Sequence, residues 1–472
     1  MSIVACDPGR VKAAASEIAP CVSPDPPPIQ YVYNPDGFEP PEWLPTPLHR
    51  HGDCARYFLH CVLTAGVRNR RNAAGFAPLK AALIRPFFAG SVVYRRVKAA
   101  LLDSHALLCD ERYIPGETSK GFAIGPDLRS RRIRRVPIVN RKLAEKLRTR
   151  RDSFVPTESV HRHLGRYLRE VEIDYPAALD WMLAAGFEQQ DELSAQMIRD
   201  RQFFFHVCDY GRVHTNLTNL RSELRGFLSH QGRPLVNLDI RNSQPLMFAV
   251  ALKGEFAGRT MPPDVTRYVD LVQAGKFYDD LMERADVPPE RRPAFKRDFF
   301  ARVFFCRNEP ESDAARDFGR IYPNVYAVIR AKKRDDYRAL AWELQRTESA
   351  VMIGRVARRC MNELPGVFVA TIHDSIITVP EAGETIGAII KREFERAGIS
   401  PTVNQQRADD NPPIPNPDQE ATRKERERQR RSRRRKANQG SQSPHPYDGT
   451  LSCKVSGHGM SRVTRPAGKV SG

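Results

Sequence analysis

Apolar residues recur at helical spacing through Ser91–Leu102 (Val93, Val97, Ala100, Leu101), so an amphipathic helix is predicted there. It runs into Leu107–Tyr113, a polar turn Pro115–Gly121, and then Phe122-Ala123-Ile124. This pattern predicts a helix feeding a β-hairpin with a polar, Gly-flanked tip. Helical periodicity returns in Lys142–Thr149, Ser159–Glu170 and Ala177–Ala185. Beyond Val207 the signals sharpen. Pro234–Ile240 reads as a strand carrying an acid, Asp239, near its end, while Arg291–Phe305 and Glu343–Leu364 are helical in pattern. Val367–Ile372 and Ser375–Val379 are β-rich and separated only by His373-Asp374, which predicts a hairpin with an acid at its tip.

These segments divide the chain. Residues 1–48 hold a Pro-rich run (Pro24, Pro26–Pro28, Pro40, Pro41, Pro45, Pro47) and are expected to form a disordered arm. Residues 49–137 form a small α+β unit that resembles a winged helix, its hairpin followed directly by Arg129, Arg131, Arg132, Arg134 and Arg135. An ordinary α+β packing unit fits the same pattern. Residues 138–205 are helical, 206–404 carry the strongest chemical signals, and 405–472 form a basic tail expected to be disordered.

Composition narrows the function. The chain has 472 residues and a net charge of +19, of which the tail from Gln405 holds +8 and the body +11. A basic body as well as a basic tail suggests a polyanion partner. Lys80 and Arg85 interrupt the best apolar stretch, Phe76–Tyr94, so no segment approaches the ~18 residues of a membrane span. Met1–Arg10 lacks the features of a secretory signal, and nine scattered cysteines without a CxxC read as reduced thiols, so a cytoplasmic protein is expected. No GxxxxGK[ST], GxSxG or GxGxxG occurs. His49, His51, Cys54, His60 and Cys61 fit no closed zinc pattern, and His161 and His163 read as solvent-facing.

Asp239 and Asp374 each end a hydrophobic strand. A carboxylate there is costly to desolvate unless it meets a cation or water, and two such ends side by side suit a pair of divalent ions for in-line phosphoryl displacement. Taken singly, each acid also reads as a turn residue. Between them Arg292, Lys296, Phe300 and Phe304 recur every four residues along one helix stripe. Two cations and two aromatics fit a nucleoside triphosphate, with phosphates on the cations and the base against a ring. A core helix with snorkelling cations gives the same spacing. Phe299 and Phe305, off the stripe, are read as core.

The order of these segments resembles the family A DNA polymerases and the related single-subunit RNA polymerases. Gly211-Arg212-Val213-His214-Thr215 with Asn219-Leu220 is similar to the family's TGR…NL segment, Leu235–Pro245 to motif A, and Arg292-x3-Lys296-x3-Phe300-x3-Phe304 to the motif B helix. Phe318…Tyr322-Pro323-Asn324-Val325, Leu344–Ala350 and His373-Asp374-Ser375 are similar to the F-x3-YP-x-V stretch, the LQGTAAD helix and motif C. The resemblance covers about 200 residues and does not reach residues 1–200.

That resemblance implies an α+β fold, a right-hand palm with an antiparallel sheet and helical fingers, and the helices of 138–205, outside its reach, are read as a reduced thumb that would grip duplex through its backbone. It implies Asp239 and Asp374 as catalytic ligands of two Mg2+ ions, and Arg292, Lys296, Phe300, Phe304 and Gln244 as nucleotide contacts. Arg212, Asn219, Gln345 and His373 are implied to touch a DNA primer–template. The implied activity is template-directed nucleotidyl transfer from nucleoside triphosphates by a compact, monomeric DNA polymerase without proofreading, in the replication of DNA of a mobile or phage-like element. Departures keep alternatives open. Phe304-Phe305 stands where the family has Tyr-Gly, and Gln244 where DNA polymerases carry a Glu. Ser243 and Ser375 match the RNA polymerase form, so an RNA polymerase or primase is the second reading. The third is a non-catalytic DNA-binding replication protein, suggested by the winged hairpin, the basic tail and the Phe-Phe departure.

Overall fold

The computed structural model describes residues 30–68, 75–114, 119–152, 156 and 158–406. Residues 1–29, the hairpin tip 115–118 and the tail from 407 lie outside the described residues. The fold is mixed α+β, with small antiparallel sheets among many helices and two hydrophobic cores.

The first core is built from β1 (Tyr31–Pro35), α1 (Gly52–Arg68), β2 (Ala77–Pro78), α2 (Ser91–Asp103), β3 (Leu107–Cys109), β4 (Gly121–Ile124), β5 (Ile133–Pro137) and α3 (Arg141–Asp152). The helix and hairpin expected from the sequence are α2, β3 and β4, with β2 adding a third strand on β4. At the centre Phe58 of α1 meets the rings of Tyr94 at 5.9 Å and Phe122 at 5.6 Å.

The Pro-rich arm expected over 1–48 is folded from residue 30 onward. β1 pairs antiparallel with β5, from Tyr31 opposite Pro137 to Pro35 opposite Ile133. The prolines that follow open short helices, Pro40–Trp43 and Thr46–His51, where a missing N–H removes no helical hydrogen bond. Local proline content hid a strand whose partner lies about a hundred residues away. Several arginines after the hairpin are also engaged within the protein. Arg132 pairs with Glu192, Arg134 with Glu39, and Arg135 lies 4.2 Å over the Tyr31 ring.

The second core begins with α4 (Ser159–Leu168), β6 (Val171–Ile173), α5 (Tyr175–Ala184) and α6 (Gln189–Arg199). α6 joins the two units, sending Leu193 into the first core and Ala195 and Ile198 into the second. Its fully buried Glu192 accepts hydrogen bonds from the Ile133 amide (2.7 Å), Arg132 Nε (2.5 Å) and the Tyr175 hydroxyl (3.1 Å). His161, expected to face solvent, is buried at 8 % exposure with its ring 6.1 Å from Phe205, because α4 turns that stripe inward. Burial holds its imidazole below the ordinary histidine range.

The chain continues through the hairpin β7 (Phe205–Val207) and β8 (Val213–Thr215), then β9 (Leu228–His230), β10 (Arg233–Pro234) and β11 (Val236–Ile240). Helices follow: α7 (Ser243–Glu255), α8 (Pro263–Gln273), α9 (Phe277–Arg284), α10 (Arg292–Phe299), α11 (Asp313–Ile321), α12 (Pro323–Lys332), α13 (Ala339–Val351) and α14 (Arg358–Glu363). The hairpin β12 (Val369–Ile372) and β13 (Ser375–Thr378), then α15 (Gly383–Glu395) and β14 (Val403–Gln406), complete the described chain. β12, β13, β11 and β14 form one four-stranded antiparallel sheet in that order. β14 carries Gln405 and Gln406 into the sheet, so the described chain stays folded past the expected start of the tail.

Candidate active site

The central sheet places the two acids. In β11 the residues Val236, Leu238 and Ile240 are buried while Asn237 and Asp239 alternate to the other face, the period-two pattern of a strand with one face on the core. Asp239 stands opposite Ser375 of β13, the residue after Asp374, so acids 135 positions apart in sequence reach the same cavity of about 320 Å³. At the β12–β13 turn His373 takes φ 52°, a sparsely populated conformation for a residue with a Cβ, directly before Asp374. Burial pushes the Asp239 carboxyl up to about 6 and the Asp374 charge adds to the rise, while Lys296, Arg225 and a hydrogen bond from Ser375 pull the other way.

Cations face the acids from α10 and from the loop after β11. Arg292 and Lys296 both line the cavity, as do Arg241, Tyr278 and Phe300. Lys296 Nζ lies 4.8 Å from the Tyr278 ring centre, and Arg292 is ion-paired with Asp279. Burial, then the Arg292 charge, holds Lys296 below the ordinary lysine range, against the opposing pull of Asp239.

The aromatic half of the α10 stripe differs from expectation. Phe304 does not reach the cavity: it is 0 % exposed and packs edge-on against Phe248 at 5.4 Å. The cause is a π-helical turn, Phe300–Phe304, in which the Phe305 amide donates to the Phe300 carbonyl at 2.8 Å. The wider turn brings residues five apart into line. Phe305 therefore stacks on Phe300 (5.3 Å, 13° between planes), while Phe304 rotates into the core. Phe299 is core, as its place off the stripe indicated.

A third group of expected residues meets around a carboxylate that sequence reasoning passed over. Glu348 of α13, almost fully buried, accepts hydrogen bonds from Arg212 Nε (2.9 Å) and Nη2 (2.6 Å) and from Gln244 Nε2 (2.9 Å). Burial pushes its carboxyl up to about 7 against the downward pull of Arg212, and the nearby Asp374 charge adds to the rise. The β7–β8 turn reaches α13 through Gly211, at φ +77°, where an added Cβ would lie 3.2 Å from the Ser349 Cβ. Gln345 is buried on the same helix. His373 lies 5.9 Å from the His214 ring, and Asn219 closes the short helix Asn216–Asn219 beyond β8.

Arg241 is the other residue missed. It sits two positions after Asp239; its amide donates to the Thr402 carbonyl at 3.0 Å, and its side chain crosses Gly275, where an added Cβ would lie 3.1 Å from Cδ. Its guanidinium makes no ion pair with any described residue. The signal available was a cation two residues past Asp239 inside Leu235–Pro245. Glu348 gave no such signal, being one of two acids on its helix, with Glu343.

Two carboxylates converge on this cavity, and among the described residues no cluster of three or more His, Cys, Asp or Glu side chains is placed to hold a metal. Mg2+ is commonly held by one or two carboxylates, with water and substrate phosphate completing its shell. Asp239 and Asp374 are the carboxylates here that such an ion could use, with Asp239 lifted first by burial and then by the Asp374 charge.

No protein-family model and no curated protein matches the sequence. Among solved structures, the chain is similar over 50 % of its length to the POL domain of Pol1 from M. smegmatis in complex with DNA primer-template and dNTP, at 13 % identity and a TM-score of 0.25. The match spans about half of that chain, 51 %. No helix among the described residues is long and apolar enough to cross a membrane.

Proposed function

We propose that the chain is a template-directed nucleotidyltransferase, a compact family A-like DNA polymerase without proofreading. One observation carries the reading: Asp239 and Asp374 share a cavity with Arg241, Arg292 and Lys296. Few reactions need two carboxylates and three cations around one opening, and transfer from a triphosphate is one that does. Two Mg2+ ions held by Asp239 and Asp374 would supply Lewis-acid activation of the attacking hydroxyl and charge neutralisation on the leaving phosphate.

The chain's own residues do the positioning. Lys296, braced on Tyr278, and Arg241 hold the triphosphate, and Arg292 joins them on leaving Asp279. Phe300, backed by Phe305, presents a ring to the incoming base. Arg212 and Gln244 keep Glu348 fixed beneath the site. In this reading β11–β14 form the palm, α10 belongs to the fingers, residues 138–205 act as a reduced thumb, and His373 and Asn219 lie toward the primer end.

Asp374→Asn is expected to abolish primer extension while duplex affinity stays unchanged. If binding and extension disappear together in a folded protein, the assignment fails. Gln244 favours the second reading, an RNA polymerase or primase, because its amide is tied to Glu348 and is not a free carboxylate against the sugar. Separate dNTP and rNTP reactions on primed and unprimed templates decide between the two.

A further inference from the structure

α13 has two different faces. One buries Leu340, Leu344 and the site-facing Glu348. The other carries Trp342 and Arg346, with the cap residue Arg338 four positions before Trp342 extending the stripe; both arginines are exposed and Trp342 is half-buried. Rings and cations interleave along it. Trp342 stacks on Tyr210 of the β7–β8 turn (6.0 Å, 15° between planes), and the Arg346 guanidinium lies 5.3 Å from the Tyr210 ring centre. At the near end Arg338 and Arg307 lie 5.2 Å and 5.0 Å from the Tyr337 ring centre. The acid on this part of the helix, Glu343, is engaged by Lys332 at 2.7 Å, and the Asp336 carboxylate accepts the Arg338 amide at 2.8 Å.

We infer that this stripe is a track for single-stranded nucleic acid. A single strand offers phosphates for the arginines and unpaired base faces for the rings, whereas a duplex hides its bases within the stack. An acidic peptide would satisfy the cations and leave Tyr210, Trp342 and Tyr337 without a function. The two faces of α13 then serve one strand in succession, the outer stripe holding unpaired nucleotides and the inner face closing the candidate site through Glu348. Naming that strand as the template rests on the proposed function; the binding itself does not.

The test uses the full chain and two fluorescent probes, a blunt duplex and the same duplex extended by about 12 unpaired template nucleotides, a length within the site size of such tracks. The wild type is expected to prefer the extended probe. Arg338→Gln with Arg346→Gln should reduce affinity for the extended probe alone and lower its salt slope by about 1.4, at about 0.7 per phosphate contact on a single strand. Trp342→Ala should weaken the extended probe by about ten-fold, the scale of one lost base stack. Should Trp342→Ala fail to fold, the two exposed arginine changes still decide the matter. Equal weakening of both probes, or unchanged binding of both, overturns the track. A wild type that prefers the extended probe but incorporates no nucleotide overturns the polymerase reading instead and leaves the track standing.

Discussion

Arg212 and Glu348, 136 residues apart, form a two-pronged ion pair with side-chain exposures of only 18 % and 2 %. The pair ties the β7–β8 hairpin to α13, and Gln244 adds α7 through the same carboxylate. Removing one partner of a buried pair leaves the other charge uncompensated, which costs about 3–5 kcal/mol. Glu348→Ala is therefore expected to lower unfolding stability by about 3 kcal/mol in urea. Glu348→Gln should lose less, because its amide oxygen still accepts from Arg212. A Glu348→Ala protein as stable as the wild type would remove the pair from this account.

Asp239 gives the protein a pH dependence of definite sign. Its carboxyl titrates near 6 when folded, above its ordinary value of 3.8, so between those values the folded state retains a proton that the unfolded chain has released. Stability from this group is present below about pH 4 and falls as pH rises toward 6, by an amount on the order of 2–3 kcal/mol. Asp239→Asn should flatten that segment of the stability profile, measured without divalent ions. Added Mg2+ should restore wild-type stability above pH 6 and have little effect on the variant.

Arg241 should be read out in nucleotide affinity. A lost charge-assisted hydrogen bond is worth roughly 1.5–3 kcal/mol, so Arg241→Ala is expected to raise the nucleotide KM by about 10- to 100-fold with a smaller change in kcat. Arg241→Lys should recover part of the loss, since an ammonium keeps the charge without the guanidinium fork. Wild-type KM in Arg241→Ala would exclude the contact.

The π-helical turn gives Phe300 and Phe304, whose rings touch edge-on at 5.6 Å, different surroundings: Phe300 lines the cavity and Phe304 is fully buried. Phe304→Ala is expected to cost about 3–5 kcal/mol of stability, as for a large buried ring. Phe300→Ala should cost less stability but impair incorporation, because its ring lines the cavity. Equal effects of the two changes on incorporation at matched stability would contradict the register described here.

Much of the fold was legible. The α2–β3–β4 unit, the helix before Phe300 and the His373-Asp374 hairpin all follow from local periodicity and turn position. β1 was not, because its backbone partners come from β5 and its flanking prolines resemble a linker. β14 was hidden likewise beside a basic tail. Asp239 and Asp374 were singled out as strand-end acids and Arg292, Lys296 and Phe300 from their four-residue spacing, and all five line one cavity. Phe304 was misplaced because a four-residue stripe assumes a regular helix, and one π turn changes which residue follows Phe300 in line. Glu348 stayed unseen because nothing local distinguishes a buried acid from a solvated one.

By itself the sequence determined which faces of its helices and strands are apolar, where the strands end in acids, and that the chain as a whole is cationic. Those properties reside in neighbouring residues and survive any arrangement of the elements. Only the tertiary structure decided that Asp239 meets Asp374, that Arg212 and Gln244 converge on Glu348, and that Arg241 joins α10 across the cavity. Each of these depends on strand pairing and helix packing between segments roughly 50 to 140 positions apart, where burial and the loss of solvent screening, not local propensity, determine which charges must find one another.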